Sequence, residues 1–334
     1  MLEEGERVVA LLRRPEEGPW SASCLASLED FETPSVELAA TLSEAVAVIH
    51  CAAHVHRPLE TAVERSSFHA VNAQGTHTVV RACREFGVER IVYVSSISGY
   101  DWGAVPATGA EEDGALSPGS VYAATKLQGE QAVQDSELDW RIVRLATVFG
   151  TGDKANFAKL AAAMAKGRFI VPGKGTARKS VIPVRLAARI IGRLAMLESV
   201  PHRLMNVGLP IAPTLAEICE AFSVVCGFRP ARRVPVSVLR IGGRVGDVAA
   251  SILGRFPLTT GTLRRLTTST HVDTMRLREV FPGEVFPTFG EALSEAREYY
   301  CSFMAPRAGA GPDASDTPSV PPPASVKSVP IPAE

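Results

Sequence analysis

The sequence predicts an α/β protein built on a doubly wound parallel sheet, and three observations carry that expectation. Short apolar runs rich in Val and Ile recur through the first 150 residues, the texture of strands buried on both faces. Helix-length stretches separate them, as parallel strands require, because a tight turn cannot join a parallel pair. After about Gly150 the rhythm changes to helices with short strand-like pieces, which marks a smaller companion lobe.

In chain order, residues 7–12 (Arg-Val-Val-Ala-Leu-Leu) read as the first strand and 45–51 (Ala-Val-Ala-Val-Ile-His-Cys) as the second. Residues 89–95 and 140–145 supply the third and fourth, with crossover helices at 61–86 and 121–134. Beyond Gly150, helices at 155–166 and 184–197 flank a glycine-rich strand-and-turn segment at 169–181. Residues 214–226 form an amphipathic helix, 232–256 carry an apolar face, and 289–303 close the fold. From Ala305 the chain is rich in Pro, Ala and Ser and cannot bury enough apolar surface to offset its ordering entropy. The expected parts are therefore a domain over 1–150, a lobe over 151–304 interleaved with the end of the sheet, and a disordered tail over 305–334.

Composition excludes several classes. The 334 residues are 46% hydrophobic and 21% charged with a formal net charge of −1, which gives no sign of nucleic acid or a membrane as partner. No apolar run reaches the roughly 18 residues a membrane span needs. The opening residues are too acidic for a secretory signal. The six cysteines (Cys24, Cys51, Cys83, Cys219, Cys226, Cys301) are scattered, with no Cys-x-x-Cys pair. A cytoplasmic protein without a disulfide framework or metal site is expected.

The chemistry centres on Tyr122-Ala123-Ala124-Thr125-Lys126. Residues four apart on a helix share a face, so the phenol and the ammonium reach one point. A free phenol, with a pKa of about 10, is a poor base at neutral pH, and a nearby ammonium is expected to lower that value. Such a tyrosine can take a proton from a hydroxyl while hydride leaves the same carbon. The pair alone is common on helix surfaces; its company gives it weight. Ser95 and Ser96 end a β-branched strand, where a parallel sheet presents its active edge, although serines also serve turns there. His50-Cys51-Ala52-Ala53 ends the preceding strand with residues small enough for a ligand to approach the backbone. Asn72-Ala73-Gln74-Gly75-Thr76 places a glycine inside a helix at a cost of about 1 kcal/mol, which points to close packing there.

Taken in order, these residues resemble the extended short-chain dehydrogenase/reductase family of NAD-dependent epimerases and dehydratases. The series is His50-x-Ala52-Ala53, Asn72-x-x-Gly75-Thr76, Ser95-Ser96, Tyr122-x-x-x-Lys126 and Arg144-x-x-x-Val148-Phe149-Gly150, within a likeness running from about Gly5 to Tyr300. The resemblance implies a Rossmann-like NAD(P)-binding domain followed by a substrate lobe. It implies Ser96, Tyr122 and Lys126 as a catalytic triad, Lys126 also on the nicotinamide ribose, Ala52 and Ala53 beside the cofactor, and NAD or NADP as that cofactor. The segment from Gly150 to Phe157 resembles the family's nucleotide-sugar segment and implies Asn156 on the diphosphate. The loop from Gly173 to Ser180 implies Arg178 and Lys179 against the same diphosphate, apt chemistry for guanidinium and ammonium. The implied activity is C4 epimerisation of a nucleotide-diphosphate sugar through a keto intermediate. A keto-sugar reductase, a hydroxysteroid-type dehydrogenase and a non-catalytic binding protein are the alternatives. A homodimer through the 61–86 and 121–134 helices is also implied.

The chain departs from the family pattern in several places. The family opens with a strand and a Gly-x-x-Gly-x-x-Gly turn that cradles the pyrophosphate. Residues 2–9 here resemble instead the end of a first helix running into the second strand, so that first strand is expected to be missing. Either the start lies inside a longer protein or the chain is a truncated form. Arg13 and Arg14 stand where an acidic residue would hold the ribose of NAD, and arginine there suits the extra phosphate of NADP. Arg185 replaces a usual aspartate and Leu145 a frequent proline. Ile97 and Ser98 stand where 4,6-dehydratases carry Asp-Glu, which disfavours that elimination.

Overall fold

The computed structural model describes residues 5–18, 20–55, 62–253 and 258–304. The tail at 305–334 lies outside the described residues. Among the described residues every strand pair is parallel. β1 (Val9–Leu12) pairs with β2 (Ala22–Leu25). β3 (Ala47–His50), β4 (Arg90–Ser96) and β5 (Asp139–Leu145) form the central sheet, which β9 (Leu204–Val207) completes at the β5 edge. Two further short pairs follow: β6 (Thr147–Phe149) with the lobe strand β8 (Val181–Pro183), and, within the lobe, β7 (Ile170–Pro172) with β10 (Arg232–Val234).

The β1–β2 pair stands apart, since β1 is hydrogen-bonded to β2 and not to the central four. β1 and β3 therefore each keep an edge that no described strand covers. The division falls where the family resemblance leaves out a strand.

Alternation along the central strands sorts side chains to opposite faces. Ile91, Tyr93 and Ile142 bury against the helix Gly75–Glu85 and against Leu38 and Leu42, in one core. Val92 and Val143 bury on the other face, against Leu186, Ile190 and Leu194 of the helix Val184–Met196. Helices on both faces make the sheet doubly wound. The second core continues into the lobe through an aromatic cluster: Phe149 lies 5.3 Å from Phe157 and 4.9 Å from Phe289, and Phe222 lies 5.2 Å from Tyr300.

The crossover helix after β3 runs as Ala62–Phe68, one π-helical segment at His69–Gln74, and Gly75–Glu85. Its glycine has the expected cause: a Cβ at Gly75 would stand 2.5 Å from Leu28 Cδ1. The expected closing helix divides at Ala296 into Phe289–Glu295 and Arg297–Cys301. Between them they pin the start of the lobe, because Gly150 N–H donates to Tyr300 Oη at 2.9 Å.

Candidate active site

The C-terminal ends of β3 and β4 and the N-terminal half of the helix Val121–Gln134 meet at one place. Ser120 caps that helix, its side chain accepting from Ala123 N–H at 3.1 Å, which fixes where Tyr122 emerges. Ser96, the last residue of β4, stands near the Tyr122 phenol, where its hydroxyl favours the phenolate, and its Oγ accepts from Ser98 N–H at 3.2 Å. Phe68 lies edge-on to the Tyr122 ring at 6.5 Å. Lys126, one turn further along, is 2% exposed, with its ammonium 4.0 Å above the face of Tyr93.

Electrostatics here differ from the expectation in one respect. The Tyr122 phenol sits above its ordinary pKa because burial disfavours the phenolate, and the Ser96 hydroxyl only partly offsets that. The expected lowering by Lys126 is not what this environment delivers by itself. Burial instead pulls Lys126 down to about 8, against smaller opposing contributions from Cys51 and Glu130. His50, at the end of β3, is held neutral, its pKa down at about 3 through burial and then the Lys126 charge. Its ring nitrogen Nε2 lies 3.0 Å from Thr76 Oγ1.

Two sets of buried polar groups hold this arrangement. Asn72, in the π-helical segment, accepts from His54 N–H at 2.6 Å and donates to His54 O at 3.2 Å and Thr125 Oγ1 at 3.1 Å. It thereby ties the loop after β3 to the helix bearing Tyr122 and Lys126. On the far side Glu130 accepts from Ser95 Oγ at 2.5 Å and from Arg144 at 2.7–3.2 Å. Arg144 donates onward to Tyr100 Oη at 3.0 Å and Glu112 O at 2.8 Å, and Tyr100 Oη donates to Asn206 Oδ1 at 2.7 Å. Gly129 makes the approach possible, since a Cβ there would stand 2.1 Å from Tyr93 Oη. Asn72 and Arg144 stand in sequence motifs, whereas Glu130 stands in none. The available signal was a charge in the middle of a buried strand, which must find a partner.

Cys51 and Ala52 are exposed and Ala53 half-buried, leaving the backbone after β3 open to a ligand beside Lys126. The Lys126 ammonium, almost wholly buried, has no carboxylate within ion-pair distance among the described residues. A buried cation facing an open loop of small residues suits the hydroxyls of a ribose, so the residues present fit a nicotinamide nucleotide. Arg13 and Arg14 are exposed just past the C-terminal end of β1.

The lobe residues are placed differently from one another. Asn156 is exposed and opens the helix Asn156–Ala165, whose first turn is capped by Asp153, accepting from Ala155 N–H at 2.6 Å and Ala158 N–H at 2.8 Å. Arg178 is exposed and donates to Ala212 O at 2.8 Å. Lys179 donates to Arg265 O at 2.8 Å and Thr268 O at 2.6 Å, closing the C-terminal end of the helix Thr260–Thr267, and burial lowers its pKa to about 8. Its ammonium is thus engaged in holding a helix end, a favourable place for a cation.

Comparison with known proteins gives the family. Residues 1–208 match the NAD dependent epimerase/dehydratase family. The chain belongs to that family, and so to a class of NAD-dependent enzymes. It is 23% identical over 255 residues to N-acetyl-alpha-D-glucosaminyl-diphospho-ditrans,octacis-undecaprenol 4-epimerase of Escherichia coli O157:H7, covering 70% of this chain and 72% of that one. It is 29% identical over 143 residues to UDP-glucose 4-epimerase of Vibrio cholerae, covering 41% of this chain and 42% of the relative. Among solved structures, MoeE5 in complex with UDP-glucuronic acid and NAD superposes with a TM-score of 0.67 at 23% identity, covering 89% of this chain and 92% of that one. At that identity the likeness is one of fold. No helix among the described residues is long and apolar enough to cross a membrane.

Proposed function

We propose that the protein epimerises a nucleotide-diphosphate sugar at C4 through a keto intermediate, with NAD or NADP as its resident cofactor. The observation that carries the reading is Ser96 beside the Tyr122 phenol, with buried Lys126 one turn along the same helix. Tyr122, as phenolate, takes the proton of the sugar hydroxyl, and Ser96 shares that proton between phenol and substrate. Lys126 holds the phenolate charge and the cofactor ribose. When bound, the oxidised nicotinamide supplies the hydride acceptor and a positive charge that favours the phenolate. The cycle closes when the proton returns from Tyr122 to the carbonyl oxygen as the hydride would return to the opposite face of C4, so the protein's own groups end as they began. Asn156 and Arg178, both exposed, are the groups proposed for the diphosphate. Lys179 acts instead through the helix end it holds. Arg13 and Arg14 are proposed to favour the 2′-phosphate of NADP.

The relatives described above carry 4-epimerase names, in keeping with this choice, but dTDP-4-dehydrorhamnose reductase of Mycolicibacterium smegmatis also matches at 36% identity over 122 residues, so the names do not separate an epimerase from a reductase built on the same three residues. The test is the fate of the cofactor. Purified protein incubated with a panel of UDP-hexoses and catalytic NAD or, in a parallel arm, NADP should interconvert a C4-epimer pair, followed by NMR, with no net NADH or NADPH formed. Stoichiometric consumption of NADPH against a 4-keto sugar would assign it to the reductases.

A further inference from the structure

The near-zero net charge of the whole chain conceals one strongly basic segment. Between residues 229 and 265 stand eight arginines (229, 232, 233, 240, 244, 255, 264 and 265) against a single acidic residue, Asp247. That acid is already engaged, accepting from Thr260 N–H at 3.0 Å and Thr260 Oγ1 at 2.7 Å. The segment is centred on the helix Val236–Leu253.

This helix has an inner face of small and apolar residues. Leu239, Gly243 and Gly246 are buried, and Gly243 lies so close to the following helix that a Cβ would stand 3.2 Å from Thr260 N. Its outer face is apolar as well, which is unusual. Val238 is 55% exposed, Ile241 68% and Val245 63%. At spacings of three and four residues these side chains form one stripe along the helix. Arg240 and Arg244, both exposed, stand together on one flank of the helix, beside this stripe. Arg232 and Arg233, exposed on β10, extend the basic field at the helix N-terminal end.

An exposed apolar stripe bordered by arginines has the chemistry of a helix lying in a bilayer interface. The apolar side chains enter the acyl boundary, and the guanidinium groups meet lipid phosphates. A nucleic-acid surface would use the arginines but leave Val238, Ile241 and Val245 without a role. A second copy of this chain would set the two basic fields against each other. We infer that the helix Val236–Leu253 is a docking surface for an anionic phospholipid membrane, on which the protein rests without spanning it. This surface lies outside the chemistry proposed above, and its existence does not depend on that reading.

Sedimentation of the full chain with vesicles tests it. Binding to phosphatidylglycerol–phosphatidylcholine vesicles is expected at low salt, with weak binding to phosphatidylcholine alone and a loss as salt rises. Val238→Ser/Ile241→Ser/Val245→Ser and Arg240→Glu/Arg244→Glu should each weaken binding by about tenfold or more. Circular dichroism checks that both variants remain folded. The variant residues are all exposed, and the wild-type result stands without them. Absence of wild-type binding to anionic vesicles would overturn the inference. So would equal binding to neutral vesicles, or binding that neither set of substitutions weakens. Self-association of the wild type that the serine variant abolishes, with no vesicle binding, would assign the face to a second copy instead.

Discussion

At the scale of single residues, burial sets the protonation of the site. Lys126 is placed almost without solvent beside an aromatic face, so its ammonium is lost near pH 8 instead of the usual 10.5. The folded protein therefore releases this proton earlier than the unfolded chain does. At this group the unfolded state binds more protons between about pH 8 and 10.5, and the linkage relation makes the contribution of Lys126 to stability rise with pH across that window. Buried Cys83, Cys219 and Cys226, pushed up to about 12, pull the other way above about pH 9, so the readout is the difference between proteins: in urea unfolding from pH 7 to 10.5 the wild type should gain stability relative to Lys126→Met. Parallel profiles would mean that Lys126 keeps its ordinary pKa. The Tyr–Lys spacing was legible in the sequence, since a helix puts residues four apart on one face. The direction of the phenol's shift was not. Sequence shows the neighbouring charge but not the loss of solvent, and burial outweighs the other influences on Tyr122.

At the scale of elements, the site depends on the depth and rotation at which the helix Val121–Gln134 sits on the sheet. Tyr122, Lys126 and Glu130 repeat every four residues, and Glu130 fastens that face to β4 through Ser95 and to β5 through Arg144. Both members of the ion pair are about 95% buried, so removing one strands the other charge. Glu130→Ala is expected to cost about 3–5 kcal/mol in denaturant unfolding, whereas replacing both partners with apolar residues of similar volume should cost much less. A loss below about 1 kcal/mol for Glu130→Ala would show that the pair is not what seats the helix. The long strands and helices were readable because their periodicity is long. β2 was not, since Ala-Ser-Cys-Leu contains no β-branched residue and gains its place by pairing with β1. β9 was missed for a related reason. Its Asn206 reads as loop, yet it is buried and bonded to Tyr100, Ala110 and Asp273.

At the scale of the whole molecule, a parallel sheet brings the ends of β3 and β4 together at one edge, and ligands in such folds bind at that edge. The lobe shares a core with the sheet through Phe149, Phe157, Phe222 and Phe289, so the two form one continuous packing unit. The family was legible from five short motifs, because each encodes a constraint on backbone or proton chemistry. The lobe was less so. Arg178 and Lys179 are adjacent basic residues that the sequence could not tell apart, and folding binds the Lys179 ammonium to backbone carbonyls alone. The central claim is that the Tyr122 phenol moves the substrate proton. Its most direct measure is Tyr122→Phe, which removes a single oxygen, assayed for kcat on the epimerised UDP-hexose alongside calorimetric NAD affinity. A fall in kcat of about 10²–10⁴-fold with NAD affinity unchanged is expected. A variant turning over within twofold of wild type would contradict it.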